Sequence, residues 1–498
     1  MLKTTIRSKL FFGCFLILIG GIYYCVNFQS LLFMRPMGEH AWAQIDRASQ
    51  ALQYFQRNAS FLLPQTHNIA SNPSAVACGE FPLQPFLVSY LYRCFGFHEY
   101  LYRLCVVGFA LIGFIFSYLI SCKFIKNEFL SLFAALGWIL SPNLIYYSTG
   151  FVPDTFALTL LLCAFYFLTR NFPHFAAKNV WWFAFFSALS MLEKSSVIFI
   201  YFPLCLALLF HFKNEKQEWK YLMKHTGILC LPIVVLIGWL IYARYLQLEF
   251  NSNIFLLQPK FPQSLHELYF YLKGFCGKIK DYYSVYMILF FAATILMLLR
   301  NIHKVPLFFK ILIAGSSFGW FVFFITLSRQ AWFHGYYHVP FQFVIFMVLI
   351  IAFQMVEQHE KLKKYISIVA LLTGLVYISG FVNISSYFEK RAWHHELINP
   401  DWYDADEALT AMGVNRQSKV GTYADKSYNI SLYLMNRQGW NLEENSWDYY
   451  IKNALQTCDF IIITNPEFLN HKIVKPFVGK FIGTHKSLWV YSIKKNNI

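Results

Sequence analysis

Apolar residues run along this chain in blocks of roughly twenty, separated by short loops rich in Lys and Arg. A helix of that length crosses about 30 Å of hydrocarbon. The pattern predicts spans near 10–28, 103–121, 128–147, 153–169, 180–193, 195–212, 226–245, 284–299, 306–327, 338–356 and 364–383. The expected fold class is an all-α polytopic membrane protein with about eleven transmembrane helices. Lys3, Arg7 and Lys9 precede the first span, and Lys123 and Lys126 follow the second. Arg170 and Lys178 follow the fourth, and Lys213, Lys216, Lys220 and Lys224 the sixth. Arg300 and Lys304 follow the eighth, and Lys361, Lys363 and Lys364 the tenth. Every second loop is thus basic, which places those loops and the N-terminus in the cytoplasm. The alternation holds only if the long apolar stretch around Glu193 and Lys194 is split into two spans. The N-terminal apolar block is long and lacks a clean small-residue cleavage site, so it reads as an uncleaved first span.

The opposite face then receives a loop near 29–102, the turn Asn143–Asp154, the turn at Glu193–Lys194, a loop near 246–283 and the turn Ser328–His338. It also receives the tail from about 385 onward. The tail is polar, with strand-like runs at 419–424, 459–464 and 487–493 and a helical stretch at 425–438. The domains expected are a transmembrane domain over 1–384, with its first outward loop near 29–102, and a small extracytoplasmic α/β domain over 385–498.

Composition sharpens this reading in two places. With 57% hydrophobic and 14% charged residues, a soluble chain of 498 residues would lack polar surface. The net charge of +16 sits largely in loops between apolar blocks, so it is topological and does not imply a nucleic-acid partner. Most of the 11 Cys lie within apolar blocks, where they act as small hydrophobes; Cys78, Cys94, Cys276 and Cys458 lie outside them. There is no CxxC pair and no acidic cluster with metal spacing, so no metal or other cofactor is expected.

The candidate chemistry lies on the outward side. In 38–58, Ala41, Ile45, Ala48, Leu52 and Phe55 recur three and four apart, predicting an amphipathic helix along the membrane surface. His40, Gln44 and Asp46 stand near its start, and Glu80 stands before a second amphipathic stretch. A solvated charge is the ordinary account of each acid. Asp154 follows Pro153 at the start of a span, where capping would explain it. Lys194 sits at a tight turn, where an ion pair with Glu193 is the plain account and a phosphate anchor the functional one. Arg329, His334, Tyr336, Tyr337 and His338 crowd another outward turn.

In order and membrane side, these residues resemble the bacterial GT-C membrane glycosyltransferases, the broad group of protein O-mannosyltransferases and the lipid A aminoarabinose transferase. The first loop is similar to a subgroup pattern H-x-W-R-Q-A-D-T followed by E-F-P-L. His40, Trp42, Gln44 and Asp46 match by spacing, and Glu80-Phe81-Pro82-Leu83 match in full. Ala43 stands where the pattern has Arg, and Arg47 where it has Thr. Pro153-Asp154, Lys194, Tyr336-Tyr337 with Pro340, and LYLMNRQGW at 432–440 extend the similarity along the chain. The resemblance implies an inverting glycosyltransferase of the inner membrane. It would move a sugar from a polyprenyl-phosphate donor to a lipid- or glycan-linked acceptor on the outer face. It implies Asp46 as general base, with Glu39 and His40 as the alternative, and Glu80 and Asp154 orienting the acceptor or the base. His40 and Gln44 would bind substrate, and Lys194, Arg329, His334 and Tyr337 would face the leaving phosphate. Two other readings compete: a flippase or transporter of lipid-linked sugars, which would carry charges inside its spans, and a non-catalytic membrane scaffold.

Overall fold

The computed structural model describes residues 6–69, 73–172, 176–214, 219–252, 260–360, 364–391, 398–425, 427–443 and 448–495. Lys3, Lys216, Lys361 and Lys363 of the basic loops lie outside them. The chain divides into two compact units. The first comprises Met1–Leu32, Arg103–Trp239 and Gln258–Lys390; the second comprises Phe33–Tyr102, Leu240–Leu257 and Arg391–Ile498.

The first unit is helical. Each of the eleven apolar stretches falls on helix, yet among the described residues six helices are long and apolar enough to cross a membrane, or up to eight if each bent pair is one span. By length and composition, six to eight spans are found among the described residues where about eleven were expected, and the breaks have local causes. The stretch expected at 128–147 is two helices, Glu128–Gly137 and Pro142–Ser148, bent by 75°. Pro142 has no N–H to continue the ladder, and the Ser141 side chain caps the second helix by accepting from the Leu144 amide. The helix Leu265–Tyr282 lies in what was expected as a loop and bends by 107° into Val285–Arg300, where Ser284 supplies the cap. At the Glu193–Lys194 junction the chain divides as expected. The helix Ala177–Glu193 stops, Lys194 is extended at φ −146°, and a 3-10 turn leads into Ile198–Asn214. Ala177–Glu193 packs on Asp154–Thr169, and Ile198–Asn214 on Leu307–Thr326.

The second unit holds a mixed five-stranded sheet made from the tail. Its strands are β1 (Val420–Tyr423), β2 (Gly439–Asn441), β3 (Phe460–Ile463), β4 (Val478–His485) and β5 (Leu488–Ile493), in the order β2-β1-β3-β5-β4. β1 pairs in parallel with β2 and β3, while β5 runs antiparallel to β3 and β4. Leu442, Ile451, Leu455, Ile461, Ile463 and Val474 form a buried core on one face. The three strand-like runs of the sequence are β1, β3 and β5. The helix expected over 425–438 shrinks to Ile430–Leu434, because Asn436 turns the chain away at φ 54°.

The tail shares its unit with the first loop. The helices Ala41–Gln56 and Leu83–Phe95 pack together, and the former also meets Ile430–Leu434. Gly439 donates its amide to the His67 carbonyl (3.0 Å) and accepts from Ile69 N (2.8 Å), so the loop adds a short parallel bridge at β2. Gln438 donates to Gln53 (3.2 Å), and Ser49 bonds the buried His67 ring (2.8 Å). Burial pushes the His67 pKa down to about 3, so this imidazole stays neutral. These partners explain a difference from the sequence reading. The Ala41–Gln56 helix was expected to show one apolar face to a membrane surface, but it buries Gln44, Ser49, Gln50 and Gln53 as well. The polar positions are covered by protein and hydrogen-bonded there.

Gly439 is required by this packing. A Cβ there would stand 1.7 Å from the Val420 carbonyl oxygen, a backbone atom that can yield only if β1 and β2 separate. Gly439→Ala should therefore destabilise the unit by more than the roughly 1–3 kcal/mol usual for overpacking. A thermal melt of the purified protein in detergent checks this, and an unchanged midpoint would contradict it.

Candidate active site

Within the first unit, the helix start at Asp154 and the break at Lys194 bring opposite charges together. Asp154 is the first residue of its helix and is completely buried; Lys194 Nζ lies 3.1 Å from its Oδ1. The lysine thus reaches Asp154 across the helix pair, where the sequence suggested its neighbour Glu193. The ammonium also sits 4.5 Å from the ring centroid of Tyr337 and 4.9 Å from that of Tyr336, close enough for cation–π attraction to both. His334 packs its ring against the same two tyrosines.

The tyrosines are held by their own turn. Gly335–His338 forms a 3-10 turn whose Gly335 carbonyl accepts from the Asn143 side chain (3.1 Å). His338 anchors its end: the Trp320 indole donates to Nδ1 (3.1 Å), which leaves Nε2 to donate to the Ala331 carbonyl (2.7 Å). His338 is thereby a strut of the turn. Asn143 and Trp320 escaped the sequence reading because neither stands in a charged or motif-like run.

Taking both charges out of water is costly, and mutual attraction offsets it only with good geometry. A buried Lys–Asp pair beneath two phenol rings is therefore a place where a charged ligand could exchange with a carboxylate as the lysine's partner. Arg329 does not join this group. It is exposed on the short helix Ser328–Phe333 and lies within electrostatic reach of Glu267.

The remaining expected residues belong to the second unit. His40 takes the left-handed conformation (φ 59°) just before the Ala41–Gln56 helix. Gln44 turns back to donate to the carbonyls of Met37 (3.1 Å) and Glu39 (3.2 Å), so it fixes the turn that presents His40. Glu39 is held by Arg391 at 2.6 Å. Asp46 is half-buried on the second turn of the helix. Glu80 forms an ion pair with Arg47, which also donates to Gln50 (3.2 Å). Arg47, a departure from the sequence pattern, is thus the counter-ion of Glu80. Positions 43 and 47 lie one turn apart on the same helical face, so the guanidinium missing at Ala43 is present one turn later. Among the described residues no cluster of three or more His, Cys, Asp or Glu is arranged to hold a metal ion.

Over 98% of its length the chain is similar to 98% of the crystal structure of ArnT from Cupriavidus metallidurans in the apo state, with a TM-score of 0.64 at 11% identity. The chain has the GT-C fold. The structure of the same ArnT bound to undecaprenyl phosphate matches with the same values. The family described as dolichyl-phosphate-mannose-protein mannosyltransferase matches residues 79–242. That segment begins one residue before Glu80 and includes Asp154 and Lys194; His40, Gln44 and Asp46 precede it, and Arg329, His334 and Tyr337 follow it. No curated protein sequence matches the chain. Fold and matched family segment bear out the resemblance to GT-C membrane glycosyltransferases.

Proposed function

We propose that this protein is an inverting glycosyltransferase that takes a sugar from a polyprenyl-phosphate donor and passes it to a lipid- or glycan-linked acceptor. The observation that carries this reading is the buried Lys194–Asp154 pair beneath Tyr336 and Tyr337, in a fold shared with a protein solved with undecaprenyl phosphate bound. Lys194 meets the donor phosphate, with Tyr337 and His334 beside it. Asp154 holds the ammonium in place before the donor arrives, a positioning role in place of the acceptor-orienting one. The bond that breaks joins the anomeric carbon to the phosphate oxygen. Its electron pair leaves with the polyprenyl phosphate, and a positive charge fixed beside that oxygen stabilises the transition state. Asp46 takes the acceptor hydroxyl proton, and the oxygen attacks the anomeric carbon from the opposite face. Arg329 and Gln44 have no substrate role in this scheme.

The test is sugar transfer from a purified polyprenyl-phosphate donor in detergent. Wild-type protein should transfer, and Lys194→Ala, compared at equal folded protein, should need more donor to reach half its maximal rate. An identical donor dependence would return Lys194 to a purely structural role. Transfer from a soluble nucleotide sugar alone would overturn the donor class.

The reaction is assigned to the outer face of the inner membrane, because an alternation of basic loops over eleven spans would put the tail there. Reporter fusions at Ser418 and Lys220 should then reveal opposite sidedness. The same side for both would break the topology.

A further inference from the structure

The helices Val285–Arg300 and Gln342–Gln358 pack against each other, and both end at a cavity of about 540 Å³. Its lining divides by chemistry. Leu296, Met297 and Met355 provide an apolar wall, while Arg300, Lys304 and His359 provide a basic rim completed by Asn301 and Gln358. Among the described residues no Asp or Glu lines it. The nearby Glu357 is turned elsewhere, accepting the backbone amides of Lys126 and Asn127 at 3.1 and 2.6 Å.

A purely topological account of Arg300 and Lys304 explains their sign but not the cavity between them. Charge decides what the cavity suits. Each helix end contributes roughly half a negative charge. Asn301 caps part of the first by donating from its side chain to the Met297 carbonyl (2.9 Å). Against these partial charges stand two full cations, Arg300 and Lys304, so about one positive charge is left over. That matches a single phosphodiester. The apolar wall, built from residues of membrane-spanning helices, suits the acyl chains attached to it. Basic pockets between transmembrane helices are a recurrent mode of anionic lipid binding, and the volume lies in the range of ligand sites, roughly 300–1,000 Å³.

We infer that this cavity binds the phosphodiester head group of an anionic phospholipid, at the end of the helices carrying the basic loops and apart from the Lys194 site. The occupant is a structural lipid, distinct from the sugar donor. Native mass spectrometry of the full-length protein, in detergent with equal phosphatidylglycerol and phosphatidylcholine, tests this. Wild-type protein should retain phosphatidylglycerol selectively. The double variant Arg300→Gln/Lys304→Gln should bind it roughly thirtyfold more weakly, the loss expected for two basic groups. Lys178→Gln, an exposed basic change in the first turn of the helix Ala177–Glu193, should bind as wild type. Met355→Trp, which fills the cavity from its apolar side, keeps the test decisive if the double variant misfolds, and should also weaken retention. Equal retention by the folded double variant, or by Met355→Trp, overturns the inference. Complete displacement of the lipid by inorganic phosphate overturns it as well, because the site would then take a soluble anion.

Discussion

Replacing Asp46 by Asn is expected to lower sugar transfer by about two to four orders of magnitude, the usual span for loss of a general base. Asn keeps the shape and most hydrogen bonding of Asp but cannot accept the acceptor's proton. The helix should survive the change, because its fixed points are elsewhere: Gln44 on the Met37 and Glu39 carbonyls, Ser49 on His67, and Gln53 with Gln438. The neighbouring acids are weaker candidates. Glu39 is engaged by Arg391 and Glu80 by Arg47, so each carboxylate already has a charged partner. The comparison is Asp46→Asn against Glu39→Gln at matched membrane levels. Near wild-type transfer by Asp46→Asn with an inactive Glu39→Gln would move the role to Glu39. Full activity in both would remove this loop from the chemistry.

A second large effect is expected at the buried pair. Asp154→Asn removes the carboxylate charge 3.1 Å from the buried Lys194 ammonium, and breaking a buried pair from one side costs roughly 3–5 kcal/mol. Lys194→Met should cost a similar amount by taking the cation away from the buried carboxylate. The double variant Asp154→Asn/Lys194→Met contains neither charge and should recover much of that loss, since a buried ion pair is often no more stable than a neutral replacement. Thermal melts of the three variants in detergent measure the coupling. The double variant should regain stability yet stay poor in transfer, because the lysine's charge is absent. Additive losses would mean that the two side chains do not depend on each other. Recovery of both stability and transfer would confine the pair to folding.

Much of this architecture was legible because membrane burial and strand alternation leave periodic traces. The apolar blocks marked helices, and the charged pair Glu193–Lys194 marked a break. Hydropathy alone could not show that 128–147 bends, since Ser141-Pro142 lies inside an apolar block and its effect is on backbone hydrogen bonding. Leu265–Tyr282 was hidden for the opposite reason: its lysines and aromatics read as loop. At the site, the sequence supplied Asp154, Lys194, His334 and Tyr337 as separate hints, and the structure brings them into one group. The Lys194–Asp154 pairing was not legible, because an adjacent Glu193 offered a simpler partner and sequence proximity says little about which way a side chain points. Arg47 was visible only as a mismatch. Its role emerged once helical geometry placed it one turn below Ala43 and against Glu80.

The bridge between His67–Ile69 and Gly439 also has a consequence for how the protein is made. The loop carrying Asp46 emerges in synthesis hundreds of residues before the β2 edge that it joins. At roughly 5–20 residues per second, the loop waits on the order of tens of seconds for its partner. Until then His67 and Gln53 lack the tail residues Asn436 and Gln438 that bond them. A chain truncated before Val420 would keep every helix of the first unit and every acid of the loop, yet lose the surface that shapes that loop. The segment carrying Asp46 can therefore take its final shape only once the sheet that borders it has been made.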